Sequence, residues 1–371
     1  MGKLRIAIIT FHRVDNPGAV FQAYALQEKL RNITGADVDI LDYHSKEIEY
    51  SYRCIRWNAL NGIHSILSEL VTLPIRFLKR QRYALFRQKH LRLSRSVDAK
   101  TIDRINTEYD IFVVGSDQVW NPKYATQNPA FLLDYVREDK RKFSYASSFG
   151  VTTIPAEYRS MYRTYLSRFE SISVREREGV KLLRNEINMG ADIFVDPTFL
   201  LSAEQWIEFS GINAERKKEA YVLVYLAAFS QTALQFACDI AQTHNLKVIF
   251  LNDMLLKKAN VAYKRAVSPR TWLQYFCNAS IIVTNSFHGV AFSIILNKPF
   301  FVERLADTYN VNSRIDNVLS LFGLEDRVIN GIKGDGDYPQ IDYDRVNQQL
   351  RIERARANTF LESITEKIEM V

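Results

Sequence analysis

Cysteine is scarce in this 371-residue chain: Cys54, Cys238 and Cys277 are far apart and odd in number. That argues against a disulfide framework, and with no CxxC pair or Cys/His cluster there is no sign of a metal site. A reducing setting, the cytoplasm, is the natural reading. Long apolar runs are missing too. No stretch approaches 18 unbroken apolar residues, so no transmembrane helix is expected. The apolar start, Met1 to Thr10, is too short for a signal peptide and lacks a small-residue cleavage site, so it reads as a first strand. A GxGxxG fingerprint is absent, which leaves dinucleotide binding unsupported, as are a Walker motif, a GxSxG elbow and an HExxH pair. The chain has no internal repeat and no low-complexity tract.

What is present suits a soluble protein with a sizeable core: 47% apolar and 25% charged residues, at a length that fits two domains. The net charge of +7 suits an anionic ligand or surface without choosing among them. The excess is concentrated between Ser51 and Lys100, where eleven Lys or Arg face two acids, Glu69 and Asp98. Within that stretch Ile63–Phe77 and Arg80–Leu91 predict amphipathic helices broken at Pro74. One reading is a solvated helical insertion; the other is a surface that meets anionic lipid or a lipid-linked diphosphate at the inner face of the membrane. Tyr83, Phe86 and Leu91, interleaved with Arg82, Arg87 and Arg92, fit both. Nucleic acid is disfavoured, because the basic charge lies in one insertion with no recognised binding module.

The rest alternates strand and helix. Leu4–Ile9 is a β-branched run ending in a loop at Phe11–Pro17, and Gly18 opens a helix whose Ala19, Ala23, Leu26 and Leu30 share one face. Val38–Leu41 follows as a strand, a βαβ opening that implies a parallel sheet. Further strands are expected at Tyr109–Gly115, Lys142–Ser147, Ser171–Val174 and Asp192–Val195. Ser202 with Glu204 or Gln205 behind it reads as a helix cap. The polar run Ser210–Glu219 is the best domain boundary. A second series follows, with strands at Tyr221–Ala227, Lys247–Leu251, Ser280–Thr284 and Phe300–Val302 and a helix at Gly289–Leu296. The expected organisation is an N-terminal Rossmann-like lobe over 1–210, with a helical insertion at about 51–100. A C-terminal Rossmann-like lobe covers 211–330, and 331–371 is a helical tail. Ligands would sit between facing lobes, beyond the carboxyl ends of the strands.

Four segments carry residues able to do chemistry. In Ile281–Val290 a buried strand runs into Thr284-Asn285-Ser286, then His288 and Gly289. The amides of a helix start favour an anion, and a histidine there can donate to it or deliver a proton; the bland reading is a histidine satisfied by backbone. In Asp110–Asn121 a strand ends at Gly115-Ser116-Asp117. Asp117 can accept a sugar hydroxyl proton and Trp120 can stack on a sugar ring, unless they are an Asx turn and a core tryptophan. In Ser171–Glu178 the strand stops at Arg175, which can grip a carboxylate or phosphate or simply begin a charged helix. In Asp15–Leu26, Asn16 or Asp15 caps a helix and Gln22 can reach a polar ligand.

Taken in order, "DNPGAVFQAYAL", "DIFVVGSDQVWN", "FSYASSFG", "ISVREREG", "VDPTFLL" and "TNSFHGVAFSIILNKPF" resemble the polysaccharide pyruvyl transferase family, over about residues 4 to 325. The resemblance implies a fold like the two-lobed GT-B glycosyltransferases. It implies phosphoenolpyruvate as donor, no metal and no organic cofactor. In the family, the arginine after the "SV" strand and the histidine of the "HG" turn are associated with donor binding; they match Arg175 and His288. Some relatives have an Arg-Leu pair before that histidine, where this chain has Ser286-Phe287, so a second donor arginine has to come from elsewhere, with Arg314 the candidate. The resulting expectation makes the lobe over 1–210 the acceptor side and the lobe over 211–330 the donor side, and places His288 and Asp117 in catalysis. Arg175, His288, Ser286, Phe287, Gly289 and Arg314 are on the donor, and Asn16, Gln22, Ser116 and Trp120 on a sugar acceptor, free or lipid-diphosphate-linked. The competing expectations are a nucleotide-sugar glycosyltransferase of capsule or exopolysaccharide synthesis, and a non-catalytic scaffold that binds polysaccharide intermediates.

Overall fold

A computed structural model describes residues 3–51, 63–212, 219–255, 258–305, 312–329 and 338–366. The elements run β1 (Arg5–Ile9), α1 (Pro17–Thr34), β2 (Asp37–His44), α2 (Lys46–Ser51), α3 (Ile63–His90), β3 (Leu93–Asp98), β4 (Ile111–Val114), α4 (Pro122–Ala125), β5 (Arg141–Ser144), α5 (Ala156–Leu166), β6 (Ser173–Val174), α6 (Arg177–Ile187) and β7 (Asp192–Ile193). They continue as α7 (Ala203–Ser210), β8 (Tyr221–Tyr225), α8 (Gln231–Thr243), β9 (Lys247–Leu251), β10 (Val261–Lys264), α9 (Pro269–Asn278), β11 (Ile281–Thr284), α10 (Phe287–Ile295), β12 (Phe300–Val302), α11 (Asn312–Phe322) and α12 (Tyr343–Glu366).

Two five-stranded sheets have the same order, β3-β2-β1-β4-β5 and β10-β9-β8-β11-β12, and every pairing in them is parallel. The central strands read as unbroken apolar runs, IFVV in β4 and IIVT in β11, because helices cover both faces of a parallel sheet. Order reverses between β1 and β4, where Ile9 pairs with Val114, and between β8 and β11, where Tyr225 pairs with Thr284. Such reversal points leave a crevice at the carboxyl ends of the strands.

The chain divides into two compact units. One is built from the described residues up to 51, from 87 to 201 and from 350 onward; the other from those of 63–86 and 202–349. These units cross the continuous boundaries expected at 210 and 330. Part of α12 belongs to the first unit, because Ala357, Leu361 and Ile364 are fully buried beside Ile8, Leu26 and Phe143. Arg354 reinforces this by donating to the carbonyls of Phe199 and Leu201, both at 2.6 Å. Most of α3 belongs to the second unit: Arg82 donates to the Ala266 carbonyl at 2.6 Å, and Phe86 meets Phe209 edge-on. The polar boundary at Ser210–Glu219 falls mostly outside the described residues.

Three local expectations are corrected. The two helices anticipated at Ile63–Phe77 and Arg80–Leu91, with a break at Pro74, are one, α3. Pro74 lies on its exposed side, so the Leu70 carbonyl that loses its donor lies toward solvent, which lowers the cost of the break. Tyr83, Phe86 and Leu91 are buried core residues and not a surface. The stretch about 51–100 is not all helical insertion, since Leu93–Asp98 is edge strand β3.

Capping chemistry follows the sequence more closely. Asn16 Oδ1 accepts from the Gly18 amide and Pro17 opens α1, while Ser202 and Gln205 form a reciprocal capping box on α7. Helix α10, however, begins at Phe287, two residues before the glycine expected to open it. Gly289 has a packing role: a Cβ there would lie 2.1 Å from Thr284 Oγ1. Thr284 cannot easily move away, because its hydroxyl donates to the Tyr225 carbonyl and accepts from the Ser286 amide. Gly289→Ala is therefore expected to destabilise the second unit by about 1–3 kcal/mol, the scale of overpacking a tight contact. Urea unfolding is the check; a wild-type midpoint would refute the account.

Candidate functional site

In the first unit the strand ends converge on one buried carboxylate, Asp196. It follows β7 and caps the 3₁₀ turn Pro197–Leu200. Its Oδ1 accepts from the Thr198 amide at 3.0 Å and the Thr198 hydroxyl at 2.8 Å. Its Oδ2 accepts from Ser116 Oγ at 3.0 Å and from Arg175 Nη1 at 2.7 Å. Arg175 leaves β6 with its amide on the Ser147 carbonyl, and its side chain is 1% exposed. Glu176 Oε2 stands 3.8 Å from its Nε, and Asp117 Oδ1 3.9 Å from its Nη2, ion-pair distances rather than hydrogen bonds. Burial works against the guanidinium charge, but Asp196, Glu176 and Asp117 more than offset it and hold its pKa above the ordinary value.

Asp117 is the partly open member of this group, its side chain 19% exposed. Its backbone sits at φ 74°, and its Oδ1 accepts from the Gln118 amide. Left-handed backbone at a non-glycine residue carries strain that is concentrated at functional sites, although Asp tolerates it better than most residues. The turn stays tight because Gly115 lies against Thr10, where a Cβ would come within 2.9 Å of the threonine Cβ.

The other acceptor-side candidates hold the loops together. Gln22 is fully buried and donates to Thr10 Oγ1 at 2.8 Å, and Thr10 Oγ1 donates to the Ser116 carbonyl at 2.9 Å. A continuous run of hydrogen bonds therefore links Gln22, Thr10, Ser116, Asp196 and Arg175. Ser116 has no exposure and spends its hydroxyl on Asp196, so its expected contact with a sugar is withdrawn. Trp120 is corrected as well. It is fully buried, donates to the Phe131 carbonyl at 2.9 Å and packs on Phe149 and Phe169, which leaves no ring face for a sugar. Asn16 is exposed and serves as the cap of α1.

Beside this group, sequence reasoning missed a second charged constellation at the carboxyl ends of β1 and β2. His12 Nε2 lies 3.3 Å from Asp42 Oδ1, and Arg13 pairs with both Asp42 and Glu49. His44 Nδ1 is 3.0 Å from Glu49 Oε1. Burial opposes the Asp42 charge, but His12 and Arg13 outweigh it and hold the carboxyl well below the ordinary carboxylate range. Burial pushes the His12 pKa down. Thr10, His12, Arg13, Tyr43 and Glu49 line a small pocket here. The available signal was position alone: His12 and Arg13 lie in the loop after the first strand, where ligand-binding residues of parallel sheets gather.

In the second unit the reversal point between β8 and β11 is pinned by Asn285. Its Oδ1 accepts from the Ala227 amide at 2.7 Å and its Nδ2 donates to the Ala228 carbonyl at 2.9 Å. Glu303, after β12, sends its amide to the Thr284 carbonyl and accepts from Ser230 Oγ at 2.7 Å. These contacts frame Ser286, Phe287 and His288 at the start of α10. The Val290 amide already bonds the Ser286 carbonyl, so the helix-start amides that favour an anion are those of the first turn, not those after Gly289 as expected. His288 is 8% exposed, with the Phe287 ring edge-on at 5.0 Å. Arg314 lies on the first turn of α11, which packs against α10. Asn285 and Glu303 are the residues sequence reasoning missed here.

Among solved structures the chain is similar to a glycosyltransferase from Rickettsia africae ESF-5, with 10% identity over 99% of this chain and 100% of that one and a TM-score of 0.50. It is also similar to a UDP-GlcNAc 2-epimerase from Neisseria meningitidis, at 9% identity, covering 98% of this chain and 94% of that chain with a TM-score of 0.48. The likeness to the glycosyltransferase concerns the fold, a mixed α/β architecture of parallel sheets like that of GT-B glycosyltransferases. No curated protein matches the sequence. The family model described as polysaccharide pyruvyl transferase does match, over residues 16–303, a span that runs from the Asn16 cap to Glu303 and includes Asp117, Arg175, Asp196, Asn285 and His288, with His12, Arg13 and Arg314 outside it. The chain belongs to the polysaccharide pyruvyl transferase family.

Proposed function

We propose that this transferase moves the enolpyruvyl group of phosphoenolpyruvate onto a sugar of a polysaccharide precursor, forming a pyruvate ketal and releasing phosphate. The observation that carries the reading is the family match over residues 16–303. In the reaction, C3 of phosphoenolpyruvate takes a proton, two sugar hydroxyl oxygens bond to C2, and the bond from C2 to the phosphate oxygen breaks. Of the two hydroxyl protons, one is balanced by the proton on C3 and the other leaves with phosphate. The protein has to neutralise the donor's anions and handle those protons at fixed positions.

On the donor side we assign His288 as general acid or phosphate partner, with the first-turn amides of α10, Ser286 and Arg314 as anion contacts. Asn285 and Glu303 support the assignment, because they fix the loops on either side of the histidine. Arg175 is assigned to a donor anion while Asp196 holds its Nη1. Asp117, partly open and next to that guanidinium, is assigned as base for the acceptor hydroxyl. Asn16 remains an acceptor-side candidate by its exposure. Gln22 supports the loop that carries these residues.

Incubation with phosphoenolpyruvate and a capsule-precursor sugar is expected to release phosphate and to add about 70 Da to the sugar, the mass of a ketal by the stoichiometry above. Release of UDP from a UDP-sugar with no phosphate from phosphoenolpyruvate would replace this reading with glycosyl transfer. His288→Ala should lower turnover by at least about 100-fold; near-normal turnover removes the histidine from the chemistry. For Arg175 the informative change is Arg175→Lys. Outright removal strands buried carboxylates, at a cost of about 3–5 kcal/mol. The lysine keeps the charge and loses the fork, so the donor KM is expected to rise at least about tenfold with the melting temperature near wild type. An unchanged donor KM would count against the assignment.

A further inference from the structure

Helix α3 is the largest feature that the proposed chemistry leaves unused, and its outer side is unusual for a charged segment. Leu70, Val71, Phe77, Leu78 and Leu85 are between 41% and 64% exposed. At 3.6 residues per turn all five fall within about 120° of arc. Pro74 and Gln81 are exposed on the same arc, so the stripe holds no charge. From Val71 to Phe86 the helix has four cations, Arg76, Lys79, Arg80 and Arg82, and no carboxylate. One flank is extended by the loop after β9. Asp253 takes Lys79 at 2.7 Å, and its other oxygen accepts from the Ala266 amide, whose carbonyl accepts from Arg82. That pinning holds Met254 and Leu255, 46% and 50% exposed, beside the helix, with Lys264 and Arg265 nearby at the end of β10.

We infer that this face is a docking surface for an anionic lipid bilayer, with α3 lying in the interface plane. An exposed apolar patch bordered by polar residues marks an interaction surface, and cations around it select the kind of partner. Lys79 pairs with Asp253, whereas Arg82 donates to a carbonyl and Lys264 stands at the exposed edge. Long basic side chains at such an edge reach lipid phosphates while their stems stay on apolar surface. A second copy of the chain is the poorer occupant, because a two-fold pairing sets the same cations against each other with no carboxylate between Val71 and Phe86 to answer them. No described helix is long and apolar enough to cross a membrane, so the contact is peripheral.

The test is co-sedimentation of the full chain with phosphatidylcholine vesicles, alone or with about one-third phosphatidylglycerol. Wild type is expected to pellet with the anionic vesicles, weakly with the neutral ones, and less as salt shortens the Debye length. The variant Phe77→Gln/Leu78→Gln/Leu85→Gln should lower partitioning at least about tenfold at an unchanged melting temperature, and Lys264→Glu should lower it on anionic vesicles only. Failure of wild type to bind anionic vesicles overturns the proposal. So does equal binding by the triple variant, or a wild-type dimer that the triple variant turns into monomer. The outcome does not depend on the donor or acceptor of the reaction.

Discussion

A carboxylate with no solvent exposure has to be answered by donors, or it will not stay ionised. Asp196 meets that demand with four: an amide and a hydroxyl from its own turn, the Ser116 hydroxyl and the Arg175 guanidinium. The requirement brings the ends of β4, β6 and β7 to one place. Through Ser116 it reaches Thr10 and Gln22 behind β1. Arg175 is in turn fixed by Asp196, and Asp117 is fixed near Arg175. The order of dependence runs from the most buried charge outward to the only partly open one.

The two units solve the same topological problem with different chemistry. Both reverse strand order beside their first strand, so both offer a crevice at the carboxyl ends. In the first unit that edge is crowded with charged side chains in which carboxylates outnumber guanidiniums: Arg175 with Asp196, Glu176 and Asp117, and Arg13 with Asp42 and Glu49. In the second, an uncharged amide, Asn285, does most of the pinning around a histidine on the first turn of a helix. The first arrangement presents a partly open carboxylate beside a paired guanidinium, and the second presents first-turn amides beside a histidine.

How much of this could be read in advance depended on the range of the interaction. Central strands were legible, because burial on two faces leaves only apolar residues to choose from; the edge strands β3 and β10, LSRSVD and VAYK, were not, because a one-sided partner allows polar residues. Caps at Asn16 and Ser202 were legible because they are local. The segments around Asp117, Arg175 and His288 were found from strand ends followed by polar residues, yet the internal roles were not. Trp120 in a core and Trp120 on a sugar have the same sequence. Asp196 was noticed within "VDPTFLL" but not as a hub, since its partners are 21 and 80 residues away. The His12–Asp42 pairing, 30 residues apart, leaves no periodic trace at all.

The return of α12 to the first unit has a temporal consequence. A ribosome delivers the chain from its N-terminus, so β1, β2, β4 and β5 are made long before Ala357, Leu361 and Ile364, the side chains that close one face of their sheet. The second unit's residues have all been synthesised by then. The unit that begins first therefore finishes after the other, and until α12 has docked its open apolar face is a natural client for a chaperone.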